Sequence, residues 1–321
     1  MKSYKRLLKK RFLSLHGLVA QLYNSDKNSR FSLLGPTLSM VGKDDKKEVL
    51  MRILLPVDGS IYSQNAIKFV AARKPLLGEN LKVELLNVQE LVPEDLADDV
   101  LLMAVNAYTK AASAKVFDQL AYLLEESGLA VEKKGIAGPV GDTIAEEAKK
   151  TGADLVVMGT HGRSGFTGLF LGSVSIRVLS KIDRPVLLLR EDNPVIEKGL
   201  RVGICVDDPA HASAAAKLVA EEIAFFGEAP VIKVIHVKTS GESTEAVVEP
   251  VMKKLADKGI SADIVDLEGL ASEAIADYAE GNLDLLVMGS HGYGHFTAAV
   301  MGSTTSRVAA KTNLPVLIVK A

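Results

Sequence analysis

The chain has 321 residues, of which 48% are apolar and 24% are charged, and its net charge at pH 7 is −2. This length suits two domains of ordinary size, and this composition lets each of them bury a core. The numbers exclude a disordered tail, and the lack of a basic excess argues against a nucleic-acid-binding protein. Cys205 is the single cysteine, so no disulfide forms within the chain and a reducing compartment such as the cytoplasm is indicated.

The first 50 residues form a basic extension with a helical pattern. Six cations between Lys2 and Arg11 precede the first acid, Asp26, and apolar residues recur every three or four positions from Leu8 to Leu22. This spacing predicts an amphipathic helix over residues 1–23, followed by a polar tether. Such a helix can lie on an anionic membrane surface, dock on a partner protein or pack against its own domains. We therefore expect a cytoplasmic chain, with a position at the membrane surface as one option.

The remainder of the chain contains an internal repeat. Residues 157–190 and 287–320 align without a gap at a constant offset of 130, and 15 of the 34 positions are identical. The segments RILLPVD at 52–58 and RVGICVD at 201–207 also match. We therefore predict two related units, at residues 51–192 and 199–321, with residues 1–50 as an N-terminal extension.

Each unit alternates apolar, strand-like segments with helical patterns. The predicted strands of the first unit are at 52–57, 82–88, 131–136, 154–158 and 185–190, and a helical pattern at 63–77 follows the first of them. Those of the second unit are at 201–206, 230–237, 262–266, 284–288 and 315–320. Continuous apolar strands between helices indicate a doubly wound α/β fold with a parallel sheet covered on both faces. Between the second and third strands lie 42 residues in the first unit and 24 in the second, which predicts a longer helix in the first.

A glycine-rich loop follows the fourth strand of each unit. In the first unit it contains Gly159, Gly162 and Gly172, and Ser173 then opens a helix. Glycine tolerates positive φ and lets the backbone approach a ligand closely, and a helix N-terminus offers unpaired N–H groups to a phosphate. Ser173 could cap that helix or donate its hydroxyl to a phosphate. Asp58, at the end of the first strand, could face the same crevice and accept hydrogen bonds from a ribose.

The alternative is that the glycines only form tight turns and that Ser173 only caps a helix. The recurrence of the spacing in the second unit favours a ligand site. The pattern is not the phosphate loop of the G-x-x-x-x-G-K-[ST] type, because no lysine precedes Ser173. Arg163 is either a phosphate contact or a solvated surface residue.

These features resemble tandem universal stress proteins. The resemblance rests on Val57-Asp58-Gly59-Ser60, on Gly141-Asp142 before the third helix, on the glycine loop and on Pro185-Val186-Leu187 in the last strand. It implies two Rossmann-like sheets, each with strand order 3-2-1-4-5, and pairing of the two domains through their last strands. It also implies binding of ATP, ADP or AMP, with Mg²⁺ as an optional companion, in the subset that keeps this loop.

The resemblance also assigns the site residues. In the first unit they are Pro56, Val57, Asp58, Val88, Gly159, Gly162, Arg163, Gly172, Ser173 and Val174, with the backbone near Val88 facing the adenine. In the second unit they are Asp207, Val237, Gly289, Gly292, Gly302, Ser303 and Thr304. Asp208-Pro209 and Ala271-Ser272 replace Gly59-Ser60 and Gly141-Asp142, so we expect the first unit to hold the stronger site.

Three functions are consistent with this sequence. The first is a stress-linked regulator that binds an adenine nucleotide and does not turn it over rapidly. The second is a slow ATPase or a nucleotidyl-transfer enzyme, although the sequence shows no evident catalytic base or metal-binding carboxylate. The third is a scaffold or chaperone-like protein with vestigial loops. We also expect the two units to pair within the chain, with a homodimer as a further option.

Overall fold

The computed structural model describes residues 51–78, 81–90, 99–160, 171–190, 193, 199–206, 209–238, 243–290 and 303–320. The predicted N-terminal helix and tether lie outside these residues. The strands are β1 Met51–Pro56, β2 Leu81–Gln89, β3 Val131–Ala137, β4 Leu155–Gly159, β5 Val186–Leu189, β6 Arg201–Val206, β7 Val231–Val237, β8 Ala262–Leu267, β9 Leu285–Ser290 and β10 Val316–Lys320.

The helices separate these strands along the chain. They are α1 Ile61–Ala71, α2 Lys74–Leu77, α3 Asp99–Ser127, α4 Val140–Thr151, α5 Ser173–Lys181, α6 Pro209–Glu221, α7 Thr244–Ala256, α8 Ala271–Asn282 and α9 Ser303–Lys311, with a short 3-10 helix at Ile223–Phe226. None of the helices in the described ranges is long and apolar enough to cross a bilayer. Except for the first ten residues of α3, all of these elements belong to one compact unit.

The ten strands form one sheet in the order β3-β2-β1-β4-β5-β10-β9-β6-β7-β8. Each half therefore has the strand order 3-2-1-4-5, with parallel pairing throughout. The predicted doubly wound α/β fold in two tandem copies is confirmed. The order reverses direction between β1 and β4 in the first half, and between β6 and β9 in the second, which is where ligand crevices form in such sheets.

The two halves meet at β5 and β10, which pair antiparallel with Leu187 opposite Leu317. All four residues of β5 and the first four of β10 are at most 4% exposed. The pairing expected from two apolar edge strands is therefore present, and it removes both edges from solvent. Arg190 extends the contact, because its guanidinium donates hydrogen bonds to the carbonyl groups of Ala309 and Ala310 near the end of α9.

Apolar layers cover both faces of the sheet. On one face α1, α3, α6 and α7 pack over side chains from both halves, including Leu187 of β5 and Leu317 of β10. On the other face α4, α5, α8 and α9 do the same, over Leu188 and Val316 among others. Each layer is thus continuous across the junction, and we infer that the halves stabilise one another through the hydrophobic effect.

Two helices differ from their predictions. The single helix predicted over residues 63–77 is split into α1 and α2 near Arg73. Pro75 lies in the first turn of α2, where its missing N–H is tolerated, whereas it would break the hydrogen-bond ladder of a continuous helix. The prediction that Gly141 and Asp142 precede the third helix is also wrong, since both residues lie in the first turn of α4.

The predicted difference in helix length between the two halves is confirmed. Helix α3 has 29 residues, whereas its counterpart α7 has 13. From Val116 onward, α3 buries one apolar stripe, with Leu120 fully buried, against the sheet. This stripe packs in one apolar layer with Val83 and Leu85 of β2 and with Val131 of β3.

Glu84 of β2 is a partly buried carboxyl group in the first half. One of its carboxylate oxygens, Oε1, is buried without a hydrogen-bond partner among the described residues. Burial raises the pKa of the Glu84 carboxyl group; the charge of Lys134 opposes this shift and that of Glu147 adds to it. The folded state therefore holds its proton to higher pH than the unfolded state, so stability falls as pH rises between the two pKa values.

We predict that Glu84→Gln raises the melting temperature by a few degrees at neutral pH. Because both states are protonated below the pKa of the unfolded state, the gain should vanish at strongly acidic pH. Calorimetric melts at both pH values measure the difference. Glu126→Gln is the control, since Glu126 is exposed on α3 and its charge is not among those that shift the pKa of Glu84. A gain that persists at acidic pH would contradict the assignment to charge burial.

Candidate functional site

A cleft of about 370 Å³ lies at the carboxyl ends of β1, β2 and β4, where the strand order of the first half reverses. Its volume falls within the range typical of small-molecule sites. The structure brings eight of the predicted site residues together in its walls: Pro56, Val57, Asp58, Val88, Gly159, Gly172, Ser173 and Val174. Gly162 and Arg163 lie outside the described residues.

Asp58 is held in one orientation at the mouth of β1. Its Oδ1 accepts hydrogen bonds from the backbone N–H of Ser60 at 3.0 Å and from the hydroxyl of Ser63 at 2.7 Å. Ser60 also caps α1 by accepting from the N–H of Ser63. The Val-Asp-Gly-Ser segment thus forms a compact turn that fixes a carboxylate in the wall of the cleft.

The opposite wall is the N-terminus of α5. Gly172 is its N-cap residue, with φ −63° and ψ 155°, and its N–H donates to the carbonyl of Thr160 at 2.8 Å. The hydroxyl of Ser175 donates to the carbonyl groups of Gly159 and Thr160, each at 3.2 Å. These bonds fix the start of α5 against the end of β4, so its unpaired first-turn N–H groups border the cleft.

Two expectations about this loop require correction. Ser173 is not the cap, because the cap residue is Gly172 and Ser173 is the first residue of α5, with an exposed side chain. Nor does Gly172 need positive φ, because its backbone lies in the extended region that any residue adopts. Gly172 instead lines the cleft next to the helix N-terminus, with no side chain of its own there.

Gly141 and Asp142 support the site from behind. A Cβ atom at Gly141 would lie 2.5 Å from Cγ of Arg177, so glycine allows α4 and α5 to approach closely. Asp142 forms an ion pair with Arg177, with Oδ1 and Nη2 2.9 Å apart. This motif therefore positions α5 and is not itself a wall of the cleft.

Sequence reasoning missed a buried polar group beneath the cleft. Asn87 of β2 is 2% exposed, and its amide nitrogen donates to the carbonyl of Val57 at 2.7 Å. Its amide oxygen accepts from Gln89 at 2.6 Å and from Ser113 of α3 at 2.9 Å. An asparagine among the apolar residues Leu85, Leu86 and Val88 was the available signal, since buried polar groups require partners.

The second half has a smaller cavity in the corresponding place. It measures about 110 Å³, and its walls include the predicted residues Val237, Gly289 and Thr304. Ser303 opens α9, whereas Asp207, Gly292 and Gly302 lie outside the described residues. The hydroxyl of Thr305 donates to the carbonyl of Gly289 at 3.1 Å, as Ser175 does to Gly159 in the first half.

The two sites differ chemically at their bases. By strand register, His236 takes the place of Asn87, and Asp266 takes that of Gly135. His236 is 2% exposed, and its Nδ1 lies 3.6 Å from Oδ1 of Asp266. Burial acts to raise the pKa of the Asp266 carboxyl group. Hydrogen bonding to Thr244 and the charge of Lys238 outweigh it, so the pKa is lowered.

The described residues contain no group of three or more His, Cys, Asp or Glu side chains placed to hold a metal ion.

The fold and the cleft together define a tandem α/β protein with a small-molecule crevice at the switch point of its first half. The model of the universal stress protein family matches residues 50–190 and 200–320, and the chain belongs to this family. The predicted family and its tandem arrangement are thus confirmed.

Similar proteins share the arrangement of the whole chain or of one half. A universal stress protein of Synechocystis sp. is 28% identical over 297 residues, which cover 84% of this chain and 99% of that protein. One from Methanocaldococcus jannaschii is 28% identical over 156 residues and covers 44% of this chain and 96% of its own length. The crystal structure of a universal stress protein from Archaeoglobus fulgidus superposes with a TM-score of 0.68 at 24% identity, covering 84% of this chain and 98% of its own, which supports the fold.

Proposed function

We propose that this chain is a stress-response regulator that binds an adenine nucleotide in the cleft of its first half. The observation that carries the proposal is the meeting of a fixed carboxylate, Asp58, with the N-terminus of α5 across one cleft at the switch point of the sheet. A carboxylate suits ribose hydroxyl groups, and a helix N-terminus suits phosphates.

In this proposal each wall of the cleft has one part of the nucleotide to bind. The base lies against the backbone near Val88 and the apolar side chains of Val140 and Ile144, which also line the cleft. The ribose hydroxyl groups donate to Asp58. The phosphates lie at the start of α5, above Gly172, with Gly162 and Arg163 assigned to them by sequence. Mg²⁺, if bound, would take most of its ligands from phosphate and water oxygens.

We propose that the second half binds nucleotide more weakly than the first. Its cavity is about a third of the volume of the first. Cys205 stands in its wall at the position that Pro56 occupies in the first half, and His236 replaces Asn87. The backbone framework is thus kept while the chemistry of the walls changes.

The test is to identify the ligand that the purified protein carries. Heat denaturation followed by mass spectrometry of the supernatant should release an adenine nucleotide in an amount near one per chain. Nucleotide-free protein that also fails to take up added ATP, ADP or AMP would overturn the proposal and favour a scaffold. A turnover assay then separates a regulator from a slow ATPase, because rapid phosphate release requires charge clamps and a positioned base.

We further propose that residues 51–192 and 199–321 are the two functional units and that residues 1–50 are an appendage. A chain that begins at Met51 is expected to fold and to bind ATP with the affinity of the full chain. The full chain alone should bind vesicles that contain anionic lipid, and added salt should weaken that binding because the attraction is electrostatic. Sedimentation with vesicles measures both chains; an insoluble shorter chain would show that the extension belongs to the core.

A further inference from the structure

We infer that Gln89 selects adenine over guanine and hypoxanthine by presenting a fixed amide oxygen to the cleft. Adenine carries an amino group at the ring position where the other two bases carry a carbonyl group. The inference rests on the proposed function. Gln89 is the last residue of β2, follows Val88 directly and lines the same cleft. Its orientation follows from a chain of hydrogen bonds that starts at the backbone of β1.

The first link fixes the amide of Asn87. The carbonyl oxygen of Val57 can only accept a hydrogen bond, and it lies 2.7 Å from Nδ2 of Asn87. The amide nitrogen of Asn87 therefore faces β1, and its oxygen faces the opposite direction. Because Asn87 is 2% exposed, turning the amide over would leave two buried oxygens in contact, at a substantial cost in stability.

The second link fixes Gln89. Oδ1 of Asn87 lies 2.6 Å from the side-chain amide of Gln89, and an oxygen at that distance can only be approached by a donor. Gln89 must therefore direct one N–H of its Nε2 towards Asn87, so its Oε1 lies on the far side of the amide group. Gln89 is half-buried and lines the cleft, and we assign its Oε1 as the acceptor that faces a bound base.

The third link explains why this arrangement belongs to the first half. Ser113 of α3 also donates to Oδ1 of Asn87 at 2.9 Å, and it fits there because residue 135 is glycine. A Cβ atom at Gly135 would lie 2.4 Å from the Ser113 hydroxyl oxygen and 2.7 Å from its Cβ. In the second half His236, Lys238 and Asp266 take the places of Asn87, Gln89 and Gly135, so this relay is absent from the corresponding described residues.

The consequence for the base is a matter of hydrogen-bond polarity. Adenine carries an exocyclic amine, which donates, where guanine and hypoxanthine carry a carbonyl oxygen, which accepts. The fixed Oε1 of Gln89 attracts the amino group of adenine and repels the carbonyl oxygen of guanine or hypoxanthine. Polar groups that are held in place discriminate more strongly than groups free to turn, because the wrong ligand leaves them unpaired.

The test compares ATP with ITP, which differ at this ring position, in calorimetric titrations of the full chain. We expect wild type to prefer ATP by roughly 5- to 10-fold, the contribution of one hydrogen bond. Gln89→Met keeps the length of the side chain but removes its amide, and it should bring the ratio close to one. Ser113→Ala is the matched control: it also removes a donor to Asn87 but leaves Gln89 in place, so the ratio should stay at the wild-type value.

The outcomes separate this inference from the proposed function. An unchanged ATP-to-ITP ratio in Gln89→Met, with ATP still bound, would overturn the inference alone. Failure of wild type to bind either nucleotide would overturn the proposed function and the inference with it. Circular dichroism melts confirm that each variant is folded, and an equal loss of both affinities in Gln89→Met would indicate a merely structural role and also overturn the inference.

Discussion

Replacement of Gly172 by valine is expected to weaken ATP binding on the order of 100-fold, from the loss of about two charge-assisted hydrogen bonds. The valine side chain would occupy the space beside the N-terminus of α5, where the proposed phosphates lie. The backbone of Gly172 has φ −63° and ψ 155°, a conformation that valine adopts readily. The substitution should therefore leave the fold intact, and calorimetric titration with ATP measures its effect on binding.

Gly302→Val is the matched control, because Gly302 is the counterpart of Gly172 in the sequence repeat. It should leave the affinity of the stronger site unchanged, since we assign that site to the first half. Equal ATP affinity in wild type and Gly172→Val would show that the phosphates do not lie at α5. A loss in Gly302→Val alone would move the site to the second half.

The second large effect is expected at the junction of the two halves. Leu317 of β10 is 1% exposed and lies opposite Leu187 of β5. Leu317→Asp places a carboxylate without a partner among apolar side chains, at a cost of several kcal/mol. Because the apolar layers run across the junction, both halves should lose stability together, which calorimetric melting detects as a single transition at lower temperature.

Val231→Asp introduces the same charge at the start of β7, where the side chain is 47% exposed. This control should change stability by less than about 1 kcal/mol, as is usual for surface substitutions. If Leu317→Asp lowered the melting temperature of the second half alone and left the first half unchanged, the halves would fold independently. Such a result would contradict the stabilising role that we assign to the β5–β10 junction.

The doubly wound fold and its two copies could be predicted because they depend on patterns that extend over many residues, whereas the strand order followed from the resemblance to universal stress proteins. Continuous apolar segments between helices specify parallel strands, and the repeat at a fixed offset specifies two copies. Asp58 follows the end of β1 and Gly159 ends β4; because these strands are neighbours, both residues lie at one crevice, as expected if the strands paired. Two edge strands of matching apolar character, β5 and β10, then account for the junction.

The details of the site could not be predicted in the same way. The relay through Asn87, Gln89 and Ser113 joins residues from β2 and from a helix 26 positions further along the chain, and no local pattern links them. The role of Gly141 depends on how closely α5 approaches α4, which is a property of tertiary packing. The split between α1 and α2 was the exception, because Pro75 in the predicted helix was a local signal for it.

A crystal structure of the full chain grown with ATP would show directly where the nucleotide binds. We expect electron density for the nucleotide in the first half, with the base beside Val88, the ribose hydroxyl groups within hydrogen-bond distance of Asp58 and the phosphates at the start of α5. Density for ATP only in the cavity of the second half, or a cleft between Asp58 and Gly172 that stays empty at saturating ATP, would contradict it.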